Sequence, residues 1–277
     1  MWKQTWGEAL NQQQAAAVQA ADGPVLLLAV PGSGKTTVLI HRLGYLMDCR
    51  GIPPERILTV TYTVAATRDM RARFARTFGE DRANRLEFRT INGLSARIIQ
   101  YYERAMGRRA FQLVTDEGTL SSLVGELFRA CTGTFATEST IKGLRTAITY
   151  GKNRQMSREE MEALSTGELP VAQVYQAYCR VLRHRGWMDY DDQMVYAAQI
   201  LRRHGEILAY FQEKYTHLCM DEAQDTSRIQ HTILRLLAGR RRNLFLVGDE
   251  DQSIYGFRAA EPGALLRFER DYPGGRV

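Results

Sequence analysis

Apolar and polar residues follow two different rhythms along this chain. Short segments at 25–30, 57–63 and 86–91, apolar or alternating, lie among segments, 11–21, 35–47 and 65–77, whose apolar residues recur every three to four positions. The short segments predict strands and the periodic segments predict helices. Asn11 is placed to cap the first helix and Gly23 to stop it. From about 95 to 187 the strand rhythm disappears and amphipathic helices take over, as in TDEGTLSSLVGELFRAC and PVAQVYQAYCRVLRHRG. The first rhythm then returns as helix 190–204, strand 216–220, helix 226–239, strand 244–248 and a short helix from Pro262. Alternating strands and helices predict an α/β fold, a parallel sheet with helices on both faces. The late strands are too few to make a sheet alone. The expected organisation is therefore one sheet domain, residues 1–94 and 188–277, interrupted by an all-helical subdomain at 95–187.

Composition excludes some classes and leaves others open. The 277 residues are 44% hydrophobic and 25% charged, as in ordinary soluble proteins. No apolar run approaches the ~20 residues of a membrane span, and the start, MWKQTWGEALNQQQ, lacks the apolar segment of a signal peptide. No membrane partner and a cytoplasmic location are the expectation. Cys49, Cys131, Cys179 and Cys219 are far apart, without C-x-x-C spacing, and read as reduced thiols. The net charge is +6, and the stretch from Arg68 to Arg109, with 11 Arg against 5 Asp or Glu, carries an excess of that size. That stretch is either a track for nucleic-acid phosphates or a solvated helix face.

Chemistry enters with LLLAVPGSGKTTVLI, an apolar strand running through a Gly-rich turn into a helix. Such a turn is a phosphate-binding loop: Gly32 and Gly34 let backbone N–H groups point inward around Pro31 and Ser33, the helix N-terminus adds positive potential, Lys35 reaches the β/γ-phosphates and Thr36 can ligate Mg²⁺. The strict pattern opens with Gly where this chain has Ala29, and Pro31 stiffens the turn. A second signal is DEAQDTSRIQ, which sets Asp221 and Glu222 at the end of the apolar run THLCM. In a phosphate-loop protein a strand-end Asp holds Mg²⁺ and a neighbouring Glu takes the proton of the attacking water. A third stretch, LFLVGDEDQSIYGFRAAEP, places Gln252 just past another strand, suited to sensing the γ-phosphate. Phe257 and Arg258 follow with a plane and a cation; the ring is either core or a base-stacking surface.

LNQQQAAAV, AVPGSGKTT, TYTVAATRDMRARF, RTINGLSARII, MDYDDQM, MDEAQDTS and VGDEDQSIYGFRAA together resemble, in order, the motifs of the UvrD/Rep/PcrA group of superfamily 1 DNA helicases. The resemblance implies a RecA-like P-loop core with a helical insertion, and ATP-driven 3′ to 5′ movement on single-stranded DNA or a single-strand/duplex junction. It implies an adenine contact for Gln14, phosphate and Mg²⁺ contacts for Lys35 and Thr36, a metal carboxylate in Asp221, a catalytic base in Glu222 and a γ-phosphate sensor in Gln252. Thr37 joins the ATP contacts at a position where the family often has Arg. Tyr62 and Phe257 match aromatics that meet DNA bases, with Thr63, Asn92 and Arg258 beside them.

Departures cluster on the DNA side. Val64, Ala65, Ala66 and Thr67 replace a usual Asn-Lys-Ala-Ala, and Ile91 and Asn92 stand where Phe and His are usual. The family also has a second RecA-like domain, whose arginines complete the ATP site. Here it is expected beyond residue 277 or in trans, with this chain alone binding ATP and nearly inactive. The alternative is a stand-alone, nucleotide-dependent DNA-binding or regulatory module. A transporter ATPase or small-molecule kinase is disfavoured, since no LSGGQ-like signature is present. Trp187 reads as a packing anchor, and Asp189, Asp191 and Asp192 lack the spacing of a calcium loop.

Overall fold

The computed structural model describes residues 10–109, 111–167, 169–249, 265 and 267–277. Its centre is a five-stranded, all-parallel sheet in the order β1-β7-β6-β2-β3. The strands are β1 (Val25–Leu28), β2 (Ile57–Thr61), β3 (Glu87–Thr90), β6 (His217–Met220) and β7 (Leu244–Gly248). Each pairs in the register expected of neighbours, for example Val60 with Met220 and Leu27 with Val247.

Period-two alternation sends side chains to both faces of this sheet. Val25, Ile57, Cys219, Phe245 and Val247 pack on one face against α2 (Lys35–Asp48) and α3 (Val64–Phe78). Leu26, Leu58, Val60, Leu218, Met220, Leu244 and Leu246 pack on the other, against α5 (Ile91–Met106), α10 (Tyr190–Arg203) and α12 (Arg228–Ala238). The fold class read from the sequence is the one observed.

β6 and β7 end where the sequence predicts, whereas β1 and β2 end two residues early, and the reason is local. Thr63, within the expected strand 57–63, instead caps α3, its hydroxyl accepting from the Ala66 N–H at 3.0 Å. β1 stops at Leu28 because the chain turns at once into the Gly-rich loop. The helix expected over 11–21 is α1 (Gln12–Gln19), capped by Asn11 as expected. Short elements invisible to periodicity fill the gaps: α4 (Glu80–Arg85) precedes β3, and a two-stranded parallel sheet joins β4 (Gln112–Leu113) to β5 (Trp187–Met188).

Between β4 and β5 lie α6 (Glu117–Thr132), α7 (Glu138–Arg154), α8 (Arg158–Glu162) and α9 (Val171–Arg185). They enclose an apolar cluster of their own, with Leu123, Val124, Leu144, Val174 and Leu182 at its centre and Trp187 at its margin. The cluster boundary differs from the expected division at 94/95, which falls inside α5. That helix is continuous, and its Ile98 and Ile99 pack with the sheet core.

One ionic network ties these helices to the sheet unit. Lys152 of α7, 3% exposed, reaches Asp189 at 2.7 Å and Asp192 at 2.8 Å. Tyr178 donates to Asp189 at 2.9 Å, and Thr149 and Asn153 donate to Asp191 at 2.8 and 2.7 Å. Asp189 also caps α10, accepting from the Asp192 N–H. The acidic triplet is thus a docking device for α7. The chain resumes with α11 (Gly205–Lys214) and, after β7, a last short helix, α13 (Phe268–Asp271). The four cysteines are free thiols, and no helix among the described residues is long and apolar enough to cross a membrane.

Candidate active site

The turn between β1 and α2 uses backbone geometry that few residues tolerate. Gly32 and Gly34 have φ of 75° and 86°, where an L side chain costs roughly 1–2 kcal/mol. Ser33 closes the turn, its N–H and hydroxyl both donating to the Val30 carbonyl at 3.2 and 2.7 Å. Ala29 keeps a negative φ and donates its N–H to Gly248 at 3.0 Å, so a methyl group is accommodated where the strict pattern has glycine. Pro31 and Thr37 are exposed, whereas Lys35 and Thr36 are half-buried. No side chain caps α2. Its first-turn N–H groups and dipole therefore face the loop as an anion site.

Helix α1 braces that loop. Gln14 Oε1 accepts from the Asn11 N–H at 3.0 Å, half of a capping box, and its Nε2 donates to the Ser33 carbonyl at 2.9 Å. Arg42 of α2, 1% exposed, fixes α1 in turn by donating to the Ala17 and Val18 carbonyls at 3.1 and 3.3 Å.

Because β1, β7 and β6 are adjacent, their C-terminal ends deliver acids beside Lys35. Asp249 follows β7, and its Oδ2 lies 3.6 Å from Lys35 Nζ. Asp221 follows β6 and accepts from the Glu222 N–H at 3.1 Å. Glu222 has φ 51°, the left-handed region, despite carrying a side chain; such strain costs about 1–3 kcal/mol and recurs at functional sites. Gln224, 2% exposed, joins the two strand ends. Its Nε2 donates to Glu222 Oε2 at 2.6 Å, and its Oε1 accepts from the Asp249 N–H at 3.1 Å.

Charge is unbalanced here. Burial first, and then the Glu222 carboxylate, push Asp221 up to about 6, with Lys35 pulling the other way. Asp225 is raised to about 6 by the same causes, and its Oδ1 is buried without a hydrogen-bond partner. Among the described residues no three acidic, His or Cys side chains are grouped as a metal cage, so the set suits a hard divalent cation that takes one or two carboxylates here and its other ligands from phosphate and water.

At the neighbouring end of the edge, β2 and β3 bring a second group together. Thr61 pairs with Thr90 in register, so Tyr62 and Thr63 leave β2 beside Asn92 at the start of α5. Thr63 is exposed, Tyr62 and Asn92 are half-buried, and Asn92 Oδ1 is buried without a hydrogen-bond partner.

The family model for the UvrD/REP helicase N-terminal domain matches residues 10–273. The chain belongs to that family. It is 36% identical over 275 residues to the ATP-dependent DNA helicase PcrA of Leuconostoc citreum, covering 98% of this chain and 36% of that protein. The PcrA of Staphylococcus epidermidis is 35% identical over 269 residues, covering 95% of this chain and 36% of that helicase. This UvrD/REP domain thus spans about a third of the length of the curated relatives it matches.

Three residues singled out in the sequence, Gln252, Phe257 and Arg258, lie outside the described residues, as does the start of the helix expected from Pro262, of which residue 265 is described and is helical. Two others were missed. Asp249 carries the same signal as Asp221, an acid directly after an apolar strand. Gln224 has no sequence signal for its bridge, which exists only once β6 and β7 are adjacent. The basic stretch also changes meaning. Arg71, Arg73, Arg82, Arg85, Arg89 and Arg97 are each paired with a carboxylate, so they do not form a free phosphate track.

Proposed function

We propose that this chain is the Mg-ATP-binding N-terminal module of an ATP-dependent DNA helicase. The observation that carries the reading is the convergence of Asp249, Asp221 and Glu222 on Lys35, the first residue of a helix whose N-terminus no side chain caps. The domain division that follows is a nucleotide-binding sheet unit with the helices between β4 and β5 as its insertion.

In this reading the first turn of α2 and Lys35 bind the β- and γ-phosphates, while Gln14 meets the adenine and holds the loop. Asp221 and the Thr36 hydroxyl would hold Mg²⁺, which supplies charge neutralisation across the phosphates when bound. Glu222 accepts the proton of a water that attacks the γ-phosphorus as the bond to the bridging oxygen breaks. Gln224 keeps the Glu222 carboxylate aimed, and Gln252 senses the γ-phosphate. Tyr62, Thr63 and Asn92, with Phe257 and Arg258, contact single-stranded DNA or a single-strand/duplex junction, and the whole protein moves 3′ to 5′.

Among the described residues, Lys35 is the cation that bears on both Asp221 and Asp225. Phosphoryl-transfer sites gain ~10³ to 10⁵ in turnover from an added arginine. The 277-residue chain by itself is therefore a binder with slow turnover, and a second RecA-like domain, in cis or in trans, completes the site. Steady-state phosphate release with and without oligo-dT tests this. Slow release abolished by Glu222→Gln supports the reading, whereas processive unwinding by the purified chain alone contradicts it.

A further inference from the structure

A cavity of about 580 Å³ opens at the C-terminal ends of α5 and α10. It lies at the opposite end of α5 from Asn92, ~15 Å along the axis when counted from Asn92 to Tyr102, so it belongs neither to the ATP loop nor to the strand-end group. Its volume is within the ~300–1,000 Å³ usual for small-ligand sites.

The floor is aromatic. Phe111 and Tyr196 meet edge to face at 5.2 Å, and Tyr102 packs against His204 at 5.0 Å. The rim is cationic: Arg108 and Arg109 follow α5, Arg183 lies in the last turn of α9 and Arg203 ends α10. All four are exposed, and the lining contains no acid. Among the described residues none of these four guanidiniums has an ion pair or hydrogen bond, in contrast to the paired arginines of α3, α4 and β3. Helix dipoles favour a cation at the end of α9 and another at the end of α10. They give no reason for four cations from three segments to share one aromatic-floored cavity. Mutual repulsion there is relieved by an anion, and the rings accept a planar partner.

We propose that this cavity binds a nucleotide unit, its phosphate on the arginine rim and its base against Tyr102 and Tyr196. Guanidinium forks match phosphate oxygens, and base stacking on aromatic rings is the chemistry of single-strand binding. The unit comes from a DNA strand or from a free nucleotide. The proposal is independent of Mg-ATP binding at Lys35, so that binding serves as its control.

Anisotropy of labelled oligo-dT with the 277-residue chain, across a salt series, tests it. Arg183→Glu with Arg203→Glu should weaken binding at least ~10-fold and flatten the slope of log K against log salt by about 1.4, two phosphates at ~0.7 each. Mg-ATP affinity should stay unchanged. Tyr196→Leu should weaken binding with the slope intact, because stacking carries no counterions. If the glutamate pair impairs folding, Arg183→Gln with Arg203→Gln supplies the same reading on a smaller scale. Thymidine monophosphate, tested in a Lys35→Ala background, separates the sources: binding that the arginine variants abolish shows that free nucleotides enter, and binding of oligo-dT alone assigns the site to a strand. Unchanged affinity and slope in the arginine variants overturns the proposal. So does wild-type affinity in Tyr196→Leu, or a poly-glutamate peptide that responds to the variants while oligo-dT does not.

Discussion

Gln224 Nε2 donates to Glu222 Oε2 at 2.6 Å while the same side chain accepts from the Asp249 N–H. The amide therefore fixes the candidate base relative to the strand end that meets Lys35. Gln224→Ala should slow single-turnover phosphate release by about 10- to 100-fold, part of the ~10²–10⁴ that a positioned base supplies. ATP affinity should not change, because Gln224 reaches no residue of the phosphate loop. An equal loss in affinity would show that the bridge merely holds the fold.

Burial first and then the Glu222 charge raise both Asp221 and Asp225, so part of the cost stored in the apo site is carboxylate repulsion. Glu222→Gln keeps the shape and removes that charge. Urea unfolding at pH 7 should show a gain of about 0.5–1 kcal/mol, as for other stabilising changes at functional sites, while phosphate release disappears. A loss of stability would contradict this electrostatic account.

Lys152 balances Asp189 and Asp192 in a buried setting. Lys152→Met leaves their charge unopposed and should destabilise the chain by about 3–5 kcal/mol, read as a lower urea midpoint. A variant as stable as wild type would remove the network as the docking device for α7.

Asp191 is held up at about 6 by burial and by the Asp189 charge, despite hydrogen bonds from Thr149 and Asn153. A carboxyl raised in the folded state above its ordinary value near 3.8 contributes stability that is present at low pH and lost as pH rises through about 6. The stability difference between Asp191→Asn and wild type should therefore grow in favour of Asn from pH 5 to pH 7.5, by about 1–2 kcal/mol. A pH-independent difference would contradict the raised value.

The parallel sheet was legible because β2, β6 and β7 are buried on both faces and read as mainly apolar runs, and the phosphate loop because Gly32, Gly34 and Lys35 sit between strand and helix. Helix α5 shows where local reading fails. Its apolar stripe states that it is buried, but not whether Ile98 and Ile99 meet the sheet core or the inserted helices. Asp189, Asp191 and Asp192 were legible as acids without a metal spacing; their partner Lys152 is 37 residues from Asp189, a separation that no periodicity encodes. The same holds for the arginine-rimmed cavity, assembled from segments that the sequence keeps apart.

The central claim is that the turn before Lys35 binds Mg-ATP. Titration calorimetry of Mg-ATP into the 277-residue chain, beside Lys35→Ala, tests it most directly. The account expects saturable one-to-one binding that Lys35→Ala weakens at least ~10-fold, the loss of one charge-assisted phosphate contact. Absence of binding at millimolar nucleotide, or equal binding by the variant, would contradict it.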